Sequence, residues 1–117
     1  MNPPNKDKLK IDFRIWIFNN GEKLFGKGRV ELLEKINKSG SIANAAKEMN
    51  MSYRQAWQMV NEMNKRSNHP LVEKQLGGKN GGGAILTQAG KSAINKFNEL
   101  EKRINAVIVE ETKKLEL

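Results

Sequence analysis

The chain has 117 residues with two tryptophans, four phenylalanines and 38% apolar content, which fits one domain with a modest core. Its 21 Lys and Arg against 13 Asp and Glu give a formal charge of +8, which favours a polyanionic partner, nucleic acid or an anionic membrane. With no cysteine and a single histidine, His69 beside Pro70, disulfides and thiolate metal sites are excluded; no metal or cofactor is expected.

Residues 1–8 are polar, lack the apolar core of a signal peptide, and are expected to be disordered. Leu9–Phe18 then alternates strictly: Leu9, Ile11, Phe13, Ile15 and Ile17 fall on one face of a predicted strand, and Lys10, Asp12, Arg14, Trp16 and Phe18 on the other. Asn19-Asn20-Gly21 supplies the residues of a tight hairpin turn, and Glu22–Phe25 returns. Trp16 and Phe18 need cover, either from a second subunit or from the chain itself.

Gly26–Gly28 breaks the chain before a helix over Arg29–Lys38, whose stripe of Val30, Leu33 and Ile36 is joined by Leu32 and stops at Ser39-Gly40. Ser41 is a good N-cap for a short second helix, Ile42–Met49, crowded with alanine. After the very short Asn50-Met51 connection, Ser52 caps a third helix to about Lys65, with Gln55 completing a capping box. Asn68-His69-Pro70 ends it. Leu71–Leu76 and Ala84–Leu86 read as a hairpin around Gly77–Gly83, a loop with five glycines. Thr87 caps a long last helix in which Ile94, Phe97, Leu100, Ile104 and Val107 recur at spacings of three and four.

The expected fold is therefore mainly α with small β hairpins: a winged helix-turn-helix with an N-terminal β hairpin and a long C-terminal dimerisation helix. Residues 9–87 would form the DNA-binding domain and residues 88–117 the helix. That helix can pack on a second copy or on its own domain; the first is favoured because a 30-residue segment is long for a small core to cover. No stretch approaches the ~18 apolar residues of a membrane span, so the expected location is cytoplasmic, on the nucleoid when bound to DNA.

Residues 88–117 hold six basic and five acidic side chains, so 15 basic and 8 acidic residues, +7 of the +8, lie in residues 1–87. The partner surface is expected there. On the third helix Ala56, Val60 and Met63, with Met59 beside them, form the inward stripe, which turns Tyr53, Arg54, Trp57, Gln58 and Asn61 mostly outward. Arg suits a bidentate contact with guanine, Gln and Asn with adenine, and Tyr a phosphate. The backbone N–H groups at the start of the helix, at Ser52, suit phosphate as well. Each residue also has a plain reading: Arg54, Gln58 and Asn61 as a solvated face, Trp57 as core or partly buried, Ser52 as a cap. The arrangement carries the inference.

The glycine loop fits no nucleotide cradle, since a G-x-G-x-x-G would need glycine where Leu86 stands. Gly90-Lys91-Ser92 imitates the end of a Walker motif, but its first glycine falls on Ile85. As a wing tip the loop makes sense: glycines let the backbone lie near phosphates and Lys79 supplies charge.

These residues resemble a known family. Gly40-Ser41-Ile42 with Ala45-Ala46, Met51-Ser52-Tyr53-Arg54-Gln55-Ala56-Trp57, Asn61-Glu62-Met63-Asn64, Pro70-Leu71-Val72-Glu73, Gly77–Ala84 and Leu86-Thr87-Gln88-Ala89-Gly90 resemble the N-terminal DNA-binding domain of the molybdate-responsive ModE-type regulators. A looser similarity to the LysR-type helix-turn-helix runs through the same segment. The resemblance implies a dimeric winged helix-turn-helix that binds operator DNA in bacteria or archaea. It places Ser52, Tyr53, Arg54, Trp57 and Gln58 nearest the bases, with Lys65 and Lys79 on phosphates; Ser41, Asn61 and Asn80 complete the expected DNA-binding set. Where that family carries a molybdate-binding region this chain is expected to have none, and its effector is unknown.

The leading expectation is a sequence-specific, homodimeric transcriptional regulator of double-stranded DNA, not an enzyme. The alternative is a winged-helix protein-interaction adaptor that does not read DNA. RNA binding is a variant, for which Trp16 is the one candidate stacking residue on a sheet.

Overall fold

A computed structural model of the chain describes residues 8–75, 83–115 and 117. It contains β1 (Ile17–Asn19), β2 (Glu22–Phe25), α1 (Lys27–Ser39), α2 (Ile42–Glu48), α3 (Tyr53–Arg66), β3 (Val72–Gln75), β4 (Gly83–Leu86) and α4 (Gln88–Lys114). This is a winged helix-turn-helix with an N-terminal hairpin and a long last helix. The expected disordered terminus lies outside the described residues, Lys8 excepted.

Local chemistry sets most of the boundaries. Asn20 and Gly21 form the two-residue hairpin turn with φ of 53° and 81°, both left-handed, as a turn that continues the strand twist requires. Ser41, Ser52 and Thr87 each accept a bond from the backbone N–H three residues on, at 3.1, 3.0 and 3.0 Å, and so start α2, α3 and α4. The capping box at Ser52 is half made: Gln55 gives its backbone N–H, but no bond returns from its side chain to Ser52. Gly40, in the left-handed region at φ 71°, closes α1 by donating to the Ile36 carbonyl at 2.8 Å.

Two elements start more than one residue away from expectation. The first strand is not Leu9–Phe18 but Ile17–Asn19. Its partner has only the four residues Glu22–Phe25 before α1 begins at Lys27, so no strand is left to pair with anything earlier than Ile17. The alternation survives without the pairing: Ile11, Phe13 and Ile15 are half-buried between exposed Lys10, Asp12, Arg14 and Trp16. The break at Gly26–Gly28 is shorter than expected too, because Val30 already donates to the Gly26 carbonyl at 3.0 Å and brings Lys27 and Gly28 into the helix.

The core joins all these elements. α1 contributes Val30, Leu32, Leu33 and Ile36, α2 contributes Ile42, Ala45 and Ala46, and α3 contributes Ala56, Val60 and Met63. The alanines let α2 approach both neighbours. β3 and β4 pair antiparallel with Val72 opposite Leu86 and Lys74 opposite Ala84, and Val72, Ala84 and Leu86 close the core from the wing side. β4 is held to the helix-turn-helix by the Ala84 N–H, which donates to the Gly40 carbonyl at 2.9 Å.

α4 joins the core through Ile94 and Phe97, the latter meeting Phe25 edge to face with ring centroids 6.5 Å apart. Beyond Phe97 the expected stripe is only partly covered: Leu100 and Val107 are exposed and Ile104 is half-buried. Trp16 finds partial cover within the chain: it lies on Gly26, where a Cβ would come within 2.3 Å of the ring, and under the Lys23 ammonium, 4.0 Å from its centroid. Phe18 remains exposed. No helix among the described residues is long and apolar enough to cross a membrane.

Candidate nucleic-acid interface

α3 presents a polar face beside the wing. At 3.6 residues per turn, Tyr53, Arg54, Trp57, Gln58, Asn61 and Lys65 fall within an arc of roughly 140°, while Ala56, Val60 and Met63 occupy the buried sector. Tyr53 and Trp57 are 49% and 40% exposed, so Trp57 is no core residue but is partly covered, in part by Lys74. Arg54, Gln58 and Lys65 are exposed and Asn61 is half-buried. Ser52 stands at the N-terminal end of this face with its hydroxyl engaged as the cap.

Ser41 lies elsewhere, at the junction of α1, α2 and the wing. Its hydroxyl caps α2 and its backbone bridges Gly83. Lys79 and Asn80 lie outside the described residues. The six helix residues thus share one surface, Ser41 flanks it through the wing, and the two tip residues carry no structural statement.

The electrostatics of this face rest on residues the sequence reading left aside. Glu62 is the only carboxylate in α3, and as a bare charge it would repel a polyanion. Arg29 of α1 donates to its Oε1 at 2.6 Å, and Arg66 lies 3.5 Å from the same oxygen. Gln58 donates to Oε2 at 3.4 Å. Arg66 also donates to the Lys23 carbonyl at 2.8 Å, and the Asn19 amide donates to the Arg66 carbonyl at 2.6 Å, which fixes the N-terminal hairpin to the end of α3. The acid is therefore neutralised from behind, and the outward face keeps the charge of Arg54 and Lys65.

The bond from Arg29, with the nearby charges of Arg29 and Arg66, holds the Glu62 carboxyl below its ordinary 4.5 despite the opposing effect of burial. A carboxyl with a depressed folded pKa contributes stability that is full above 4.5 and is lost as pH falls through the folded value. Chemical denaturation from pH 7 to pH 3 should therefore show wild type losing stability below about pH 4.5 more steeply than Glu62→Gln. Parallel curves for the two proteins would remove this role from Glu62.

The wing is fixed to α3 by two contacts. The Asn64 side chain bonds the backbone of Leu71 and Val72, and the Lys74 ammonium lies 4.1 Å from the Trp57 ring centroid and donates to Asn61 Oδ1 at 2.9 Å. Of these unforeseen contacts only Gln58 with Glu62 and Glu62 with Arg66 have a sequence signal, the i,i+4 spacing. Among the described residues no group of three or more His, Asp or Glu stands where it could hold a metal ion.

Comparison with known proteins covers the same region. Residues 28–91 match the bacterial regulatory helix-turn-helix protein, lysR family. The chain is 48% identical over 80 residues to the DNA-binding transcriptional dual regulator ModE of Escherichia coli (strain K12), covering 68% of this chain and 30% of that protein. It is 43% identical over 81 residues to the molybdenum-pterin-binding protein MopA of Rhodobacter capsulatus, covering 69% and 31%. With the transcriptional regulator ModE of Haemophilus influenzae the identity is 45% over 74 residues, 63% and 29% of the two chains. The match spans about three-tenths of the length of these relatives, and it bears out the ModE-like resemblance. The chain belongs to the lysR family of bacterial regulatory helix-turn-helix proteins.

Proposed function

We propose that the chain is a sequence-specific transcriptional regulator that binds double-stranded DNA as a homodimer in the cytoplasm, with no catalytic role and with residues 9–87 as its reading unit. The observation that carries this reading is the outward face of α3, on which Tyr53, Arg54, Trp57, Gln58, Asn61 and Lys65 lie together while the helix's one acid is neutralised from behind. α3 enters the major groove, with the N–H groups at Ser52 near a phosphate and Lys65 on the backbone. The wing, with Ser41 at its base, follows the adjacent phosphates, and Lys79 and Asn80, which lie between β3 and β4 in the sequence, are proposed to contact them too.

The exposed apolar stripe of α4 beyond Phe97, Leu100 and Val107 among its residues, supports pairing with a second copy through residues 88–117. Two reading helices would then sit about 34–36 Å apart on a roughly palindromic site. The names of the relatives connect two of them with transcriptional regulation, one of these with DNA binding, and the third with binding of molybdenum-pterin. The first fits this surface. No oxyanion or pterin site is assigned to any residue here.

The test is fluorescence anisotropy with duplexes selected from a randomised pool, at two salt concentrations, for wild type and Arg54→Ala. Wild type should prefer the selected duplex, bind it two chains at a time and weaken steeply with salt. Arg54→Ala should cost about 1–3 kcal/mol on the selected duplex and flatten the preference at one base pair. An Arg54→Ala protein that binds like wild type would sink the role of Arg54. Absence of DNA binding by wild type would favour the protein-interaction adaptor.

A further inference from the structure

Asn61 suits paired recognition of adenine by residue type alone, since its amide can accept from the base's N6 amino group and donate to N7. The structure puts a second residue into that choice. Lys74 shares the side of β3 occupied by Val72 and stands opposite buried Ala84, the side of the wing that faces α3. A lysine ammonium only donates, so of the two ends of an amide it can engage only the oxygen. Its bond at 2.9 Å to Asn61 Oδ1 takes one of that oxygen's two lone pairs and sets an ammonium beside it, which weakens the oxygen as an acceptor for a base amino group and leaves the amide NH2 as the unengaged end. The same ammonium, 4.1 Å from the Trp57 centroid, is held there by the face of the indole.

We propose that Lys74 is a specificity-determining positioning residue: by holding the Asn61 amide oxygen and the Trp57 ring, it makes Asn61 a donor that favours guanine, with acceptors at both O6 and N7, or thymine, with O4, over adenine, whose N7 is flanked by the N6 amino donor. This rests on the DNA reading proposed above. Lys74 acts through Asn61, one residue per reading helix, so its effect is confined to one base pair of each half-site.

The experiment selects duplexes from a randomised pool with wild type, Asn61→Ala, Lys74→Met and Lys74→Arg. Asn61→Ala identifies the position read by Asn61 as the one that loses its preference. There wild type should select guanine or thymine. Lys74→Met should weaken that preference about tenfold while keeping wild-type affinity for scrambled duplex and the wild-type salt slope. Lys74→Arg, still cationic and donor-only, should keep the preference. Without DNA, the Asn61 amide and Trp57 indole N–H resonances of Lys74→Met should shift while the core resonances stay in place.

Adenine at the Asn61 position in wild type overturns the proposal, and does so even if Lys74→Met does not fold. An unchanged preference in Lys74→Met overturns it too. So does an equal loss on selected and scrambled duplex with a salt slope lower by about one, the mark of a plain phosphate contact. A wild type that selects no sequence removes the DNA reading and this inference together. A wild type that selects a sequence which Lys74→Met reads identically removes this inference alone.

Discussion

Asn64→Ala should lower stability by about 3 kcal/mol and loosen the wing from the reading helix. The Asn64 oxygen accepts from the backbone N–H of Leu71 at 2.8 Å and of Val72 at 3.1 Å, and its amide donates to the Val72 carbonyl at 2.9 Å. The side chain thus serves β3 as a strand would, on the edge away from β4. Leu71 and Val72 are 3% and 2% exposed, so alanine leaves three backbone groups with little access to water. Each such group costs roughly 1–3 kcal/mol when stranded, and relaxation recovers part of the sum. Asn64→Asp keeps both acceptor bonds but sets a carboxylate oxygen against the Val72 carbonyl, so an intermediate loss is expected. Urea unfolding measures both. A loss for Asn64→Ala below about 1 kcal/mol, the net worth of one ordinary hydrogen bond, would show that the wing is held by its apolar residues alone.

Gly90→Ala should also destabilise by about 3 kcal/mol, against the intrinsic preference of a helix. In an unconstrained helix interior alanine is better than glycine by roughly 1 kcal/mol, so the sign of the change isolates the contact. A Cβ at Gly90 would lie 2.2 Å from the Leu71 carbonyl oxygen and 3.1 Å from the Leu71 carbonyl carbon. Both are backbone atoms, and the oxygen already accepts from the Thr87 N–H at 2.9 Å. The Thr87 hydroxyl donates in turn to the Pro70 carbonyl at 2.6 Å. The first turn of α4 is thus seated directly on the chain entering β3, and the methyl group cannot be accommodated without lifting it. Calorimetry should show a midpoint lower by roughly 10–15 °C. A midpoint equal to or above wild type would mean that the start of α4 shifts freely. The glycine that imitates a phosphate-loop motif is explained by this close approach.

The two substitutions bear on the same junction from opposite sides. Asn64 ties Leu71 and Val72 to the reading helix, and Gly90 lets α4 lie against Leu71. The position of the wing relative to α3 depends on both, so a variant at either site should alter DNA binding through geometry while leaving the outward residues of α3 intact.

What the sequence determined by itself is the part fixed within a few residues. Asn20-Gly21 can adopt left-handed conformations at low cost, Ser41, Ser52 and Thr87 reach the N–H three positions ahead, and Gly40 closes α1; none of these needs a distant partner. The apolar stripes then state which face of each helix is buried, and by subtraction which side chains of α3 are left outside. The element order and the outward set on α3 followed from these alone.

The tertiary structure decided everything that depends on which elements meet. Nothing near Glu62 in the sequence points to Arg29, 33 positions earlier, which neutralises it. Trp57 and Asn61 are claimed by Lys74, a residue of the neighbouring strand 13 positions beyond Asn61. The predicted strand from Leu9 is cut back to Ile17 because its partner is only four residues long, a limit that alternation within one segment cannot express. The physical reason is common to all three. Periodicity and capping are properties of a single segment, whereas the partner of a charge, an amide or a strand edge is set only when packing brings separate segments together.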